Sequence, residues 1–234
     1  NRQTGYRAWQ LTMERAKLPV NIWRKSFIEL NKMNHKSVML MLLPAKSFST
    51  YDIDPLMEWL DKGNTLVVLG EFTTPAEQEL KQQLGFQLKK TEVATNLLNE
   101  GLYPLQKNAD GLNYHYKFLF NHINKPVVTQ SPLRIYKEGS HILLLDEEGE
   151  PVLASFRHGR GKVVVGGISD IASNVFLQHE TDNYQFLTNL LFSHRVPIFV
   201  NEYVHGYGQL KSIVTYYKDT PLLKMFNQLV FLFI

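Results

Sequence analysis

A chain of 234 residues, 44% hydrophobic and 20% charged, has the composition of a folded globular protein and enough apolar residues for one large core, which excludes a mostly disordered chain. Its net charge of +3 comes from lysines and arginines spread along the sequence rather than gathered into a basic stripe, so nucleic acid is not an expected partner. The absence of cysteine removes disulfides, zinc-thiolate and iron-sulfur sites, and every thiol nucleophile.

The chain opens on Asn1 rather than Met, from which we expect further sequence upstream. "TGYRAWQLTMERAKLPV" then places Tyr6, Trp9, Met13 and Ala16 on one face of a helix that Pro19 stops. "SVMLMLLPA" is a continuous apolar run, as in a strand covered on both faces within a mostly parallel sheet. "STYDIDPLMEWLDKGN" reads as a helix, with Ser49, Thr50 or Asp52 as cap, Leu56, Trp59 and Leu60 inward, and Gly63 as stop. "TLVVLGEF" is a second buried strand, and "TTPAEQELKQQLG" a helix with a threonine cap, an early proline and a terminal Gly85. This alternation predicts βαβ units with helices on both faces of the sheet.

The period then lapses, and the Asn-rich stretch over about 92–125 reads as an insertion with short strands. From Pro126 the residues turn β-like, and the turn signals "DEEGEP" and "RHGRGK" between apolar runs predict an antiparallel meander. "TDNYQFLTNLLFSH" follows as a helix with Asp182 as cap, leading into the strand "VPIFVNEY". The apolar ending Leu229–Ile234 is too short to span a bilayer, which takes about 20 apolar residues. It reads either as the last amphipathic helix of the domain or as the first turns of a transmembrane helix.

Three segments carry candidate chemistry. "GGISDIASN" sets Ser169, Asp170 and Asn174 at the carboxyl end of a strand, where open α/β sheets bind ligands. The same residue types also cap local backbone. "NEYVHGYG" holds Glu202, Tyr203, His205 and Tyr207 at another strand end, where Glu202 would orient His205 as a base, or the group would bind a polar ligand, or the loop is structural. "RHGRGK" collects Arg157, His158 and Arg160 around two glycines, an anion-binding composition without the spacing or following helix of a phosphate loop. A metal set of Asp170, His179, Glu202 and His205 is chemically reasonable, but no motif with metal-ligand spacing is present, and no metal or other cofactor is expected.

"GYRAW", "LMEWLDKGNTLVVLG", "RHGRGKVVVGGISDIASN", "TDNYQFLTNLL" and "NEYVHGYG", in this order, resemble the bacterial domain-of-unknown-function family 4350. The resemblance implies a flavodoxin-like, class I glutamine amidotransferase-like sheet spanning about 1–220 and held between two transmembrane helices. The second helix would begin within 221–234, and the soluble domain would lie outside the cytoplasm. It also implies a MoxR-type AAA+ ATPase system as partner. Amidotransferases of this fold need a cysteine nucleophile, and this chain has none. The expected function is therefore non-catalytic binding of a protein partner or small polar ligand at the carboxyl edge of the sheet, the alternative being a hydrolase using a metal or a His/carboxylate pair from Asp170, Glu202 and His205.

Overall fold

The computed structural model describes residues 7–90, 103–107, 118–174 and 180–205. In chain order these form α1 (Arg7–Arg15), β1 (Val20–Trp23), α2 (Phe27–Leu30), β2 (Val38–Leu42), α3 (Ile53–Asp61), β3 (Thr65–Leu69), α4 (Pro75–Leu84) and β4 (Gln87–Lys90). Then come β5 (Tyr103–Lys107), β6 (Val127–Thr129), β7 (Leu133–Tyr136), β8 (His141–Leu145), β9 (Pro151–His158), β10 (Gly161–Gly166), α5 (Asn183–Phe192) and β11 (Ile198–Asn201).

One sheet runs in the order β1-β11-β2-β3-β10-β9-β8-β5-β6, and β4 pairs with β7 in a separate antiparallel ribbon. The five strands from β1 to β10 in that order are parallel; from β10 through β9, β8, β5 and β6 the pairing is antiparallel. Every residue of β2 and β3 is buried, which is why both read as unbroken apolar runs. Trp9 and Met13 of α1 and Phe186, Leu187, Leu190 and Leu191 of α5 pack on one face of the sheet. Helices α2, α3 and α4 pack on the other, through Phe27, Leu56, Trp59, Leu80 and their neighbours. Each such side chain contributes about 1.5–3 kcal/mol of burial. The fold is a mixed α/β sheet with helices on both faces.

The helix ends follow the sequence signals. Ser49 and Asp52 form a reciprocal capping box ahead of α3, Thr74 and Glu77 form one at the start of α4, and Gly85 ends α4 in the left-handed conformation at φ 68°. Asp182 departs from its expected role: it stands at the start of α5, but its carboxylate accepts the backbone N–H groups of Asn124 and Lys125 instead of capping the helix. Part of the 92–125 stretch joins the main sheet as β5, pairing with β8. Among the described residues no helix is long and apolar enough to cross a membrane; residues 221–234 lie outside them.

Candidate functional site

Neighbouring strands β3 and β10 send the chain to opposite faces. From β3 it enters α4 on one side, and from β10 it passes through a 3-10 turn (Ser169–Ala172) to α5 on the other. Such a switch in direction opens a crevice beyond the carboxyl ends of the strands. A cleft of about 310 Å3 lies there, lined by Leu43 and Pro44 after β2, Glu71 after β3, Gly167, Ser169 and Asp170 after β10, and Lys90 with Gln130–Leu133 as an outer wall.

Close backbone approaches build this cleft. Gly70 has φ 128°, and a Cβ there would sit 2.6 Å from the Leu43 carbonyl oxygen and 3.0 Å from the Ser169 Cβ. A Cβ on Gly167 would sit 2.4 Å from that of Leu133. Only glycine lets the three loops meet this closely. Glu77 ties two of them together: its fully buried carboxylate accepts the N–H groups of Ala45 (2.6 Å), Thr73 (2.7 Å) and Thr74 (2.7 Å).

The outer wall is fixed from both ends. Asp170 accepts the Thr129 hydroxyl at 2.7 Å and the Gln130 N–H at 2.5 Å, so each carboxylate oxygen has a partner. Burial pushes its carboxyl above the usual range, while the bonds from Gln130 and Thr129 pull it back down. Buried Arg134 donates through Nη1 to the carbonyls of Ser131 (3.1 Å) and Leu133 (3.0 Å), and its Nε pairs with Asp146 at 2.5 Å. Asp170 thus positions the wall, while Ser169, half-buried, lines the cleft itself.

The remaining expected site residues disperse. Asn174 joins α1 to α5, accepting the Ala8 N–H at 3.1 Å and the Tyr184 hydroxyl at 3.3 Å. Glu202, Tyr203 and His205 follow β11 at the same sheet edge as the cleft, on the other side of β2. The loop after β2 borders both places, since Leu43 and Pro44 line the cleft and the Ser47 N–H donates to the Val204 carbonyl at 2.8 Å. Tyr203 packs edge-on against Phe27 at 5.9 Å; burial and then its contact with Asp52 raise its pKa. Burial pushes the Glu202 carboxyl up to about 7, and burial, with Lys46 nearby, holds the His205 imidazole below its ordinary value.

Glu202 does not form the orienting pair expected with His205: among the described residues no ion pair joins them, and the Glu202 Oε1 is buried without a hydrogen-bond partner. The contact between the two is the backbone bond from the His205 N–H to the Glu202 carbonyl at 3.2 Å. Among the described residues no three His, Asp or Glu side chains are grouped to hold a metal ion, so Asp170, Glu202 and His205 do not form that set. His179 and Tyr207 lie outside the described residues. Arg157, His158 and Arg160 belong to the β9–β10 hairpin at the opposite edge, where the parallel strands begin.

Glu71, Lys90 and Gln130–Leu133 also line the cleft, without a motif in the sequence that marks them. Their sequence signal is modest: a glycine directly after each of two buried strands, in "VVLGE" and "VVVGG", marks where backbones converge.

Residues 1–191 match the model of the family described as Domain of unknown function (DUF4350). Among solved structures, the mmIFT52 N-terminal domain is similar at a TM-score of 0.57 and 17% identity, over 81% of this chain and 89% of that one. Cytoplasmic Protein STM3548 from Salmonella typhimurium is similar at 0.54 and 11%, over 78% and 84% of the two chains. Cytoplasmic Protein STM1381 from Salmonella typhimurium LT2 follows at 0.51 and 14%, over 82% and 87%. At these identities the likeness concerns the fold alone. No match is found among curated proteins.

Proposed function

The chain belongs to the DUF4350 family, and on that footing we propose that it is a non-catalytic binding domain that takes a small polar ligand, or the polar end of a protein partner, at the carboxyl edge of its sheet. One observation carries this reading: the cleft at the β3/β10 switch point is about 310 Å3, the size of a small-molecule site, and combines Ser169, Glu71, Lys90 and Asp170 with apolar Leu43 and Pro44. The missing cysteine supports binding over glutamine hydrolysis. A hydrolase built on Asp170, Glu202 and His205 has less support, because the oxygens of Asp170 are engaged and the three side chains do not gather.

The likeness to a flavodoxin or class I glutamine amidotransferase sheet, the tether by flanking transmembrane helices, an extracytoplasmic position and a MoxR-type AAA+ partner belong to the same proposal, on the sequence resemblance alone. Thermal melts with a panel of amino acids, sugars and dicarboxylates test the cleft. At least one compound should raise the midpoint saturably, and Ser169→Val and Lys90→Glu should each reduce that effect. A panel without any shift, or shifts indifferent to both substitutions, would overturn the reading.

A further inference from the structure

The edge of the sheet opposite the cleft carries a second concavity of a different character. Lys36, Lys137, Arg157, Arg160 and Lys162 line a groove of about 700 Å3 in which Glu138 supplies the one lining carboxylate. The whole chain has a net charge of only +3, so this groove concentrates more positive charge than the molecule carries in sum.

The cations are held close together by the fold. Arg157 and Lys162 are directly opposite on adjacent antiparallel strands, which brings two like charges to one place on the sheet. Lys36 packs over Gly63, its Cε 3.4 Å from where a Cβ would stand, with the Arg160 carbonyl oxygen 3.7 Å from the same point. Gly63 itself holds φ 91°, a backbone conformation that other residues rarely take, and the lysine lies beside it and the hairpin turn. Arg160 is braced by its Nε donating to the Asp61 carbonyl at 2.8 Å, and Lys137 by the carbonyls of Leu84 and Gly85.

Among the described residues, none of Lys36, Lys137, Arg157 or Arg160 has an ion-pair partner. The charge also acts on its surroundings: after burial, Lys162 is the next cause that holds the His194 imidazole down at a pKa of about 4. A concave wall of one sign focuses the field and draws in counter-ions.

We propose that this groove binds a small soluble polyanion bearing two or more phosphate groups. The spread of cations from Lys36 to Lys137 and the volume exceed what one phosphate needs, and the concavity suits a compact ligand better than a flat lipid surface. No helix N-terminus backs the "RHGRGK" turn, which joins β9 to β10, so recognition falls to the side chains and is sensitive to salt.

Calorimetric titration of the purified chain with tripolyphosphate, inorganic phosphate and vesicles containing an anionic phospholipid tests the proposal. Tripolyphosphate should bind saturably and at least about tenfold more tightly than phosphate, and more weakly as salt rises from about 0.01 to 0.15 M. Lys36→Ala and Arg157→Ala, both at exposed positions, should each weaken binding by about tenfold. Lys32→Ala, which removes the same charge outside the groove, should leave it unchanged. Equal binding of phosphate and tripolyphosphate, equal loss in all three variants, or binding to vesicles alone would overturn the proposal. Melting curves of each variant verify that it is folded.

Discussion

Glu202 gives a test of how burial at the sheet edge couples to pH. Its N–H is fixed to the Trp23 carbonyl at 2.8 Å, its Oε1 is buried without a partner among the described residues, and burial pushes its carboxyl up to about 7 from an ordinary 4.5. The folded state therefore holds the proton more tightly than the unfolded chain. Below about 4.5 both states are protonated and the site costs nothing; as pH rises from there the unfolded state ionises first, and stability falls until the folded-state value near 7 is passed. That gap would be worth about 3 kcal/mol at full burial. Partial exposure of the side chain reduces it to roughly 1–2 kcal/mol.

Glu202→Gln removes the ionisation and keeps the shape. At pH 8 the variant should be more stable by about 1–2 kcal/mol, or roughly 2–8 °C in melting midpoint for a domain of this size, and at pH 4 the two proteins should coincide. Urea melts across this range measure the difference directly, since other titrating groups are common to both. Two stability curves that stay parallel from pH 4 to pH 8 would show that the carboxyl is not perturbed, and the account of the strand end would fail.

Glu77→Ala would strand three backbone N–H groups at the loops after β2 and β3, and should cost about 3–5 kcal/mol by urea denaturation. A loss under about 1 kcal/mol would show that water or a rearranged loop replaces the carboxylate easily. Gly167→Ala would drive a methyl against Leu133 and push the cleft wall outward, for about 1–3 kcal/mol of stability. A ligand found for the cleft should also bind this variant more weakly, and unchanged affinity would mean that it sits elsewhere.

The parts of the fold with a strong local period are legible in the sequence. β2 and β3 are unbroken apolar runs, α3 and α4 carry both caps and stops, and the β8–β9–β10 meander is marked by its two turns. β1 shows no such signal: its four residues follow Pro19 with only Trp23 buried, too short a stretch to show a period. The cleft is half legible. Ser169 and Asp170 are found because residues after a β-branched strand point to the carboxyl edge. Glu71, Lys90 and Gln130–Leu133 are not, since they join the cleft from separate segments. The role of Glu77 is obscured for a related reason: its place in the first turn of α4 identifies a cap, while its bond to Ala45, 32 residues away, depends on packing. The same holds for Asp182, whose partners lie 57 and 58 residues earlier.

The position of β11 between β1 and β2 has a consequence for how the chain is made. During synthesis, β1 emerges early but meets its sheet neighbour only when residues near 198–201 leave the ribosome. Until then β2 shows an open backbone edge and β1 has no strand to join, which is the condition under which nascent strands pair wrongly. Pairings this distant in sequence slow the search for the native state. Loss of the segment from Ile198 onward would take away the strand that joins β1 to β2 and leave β1 without its sheet neighbour.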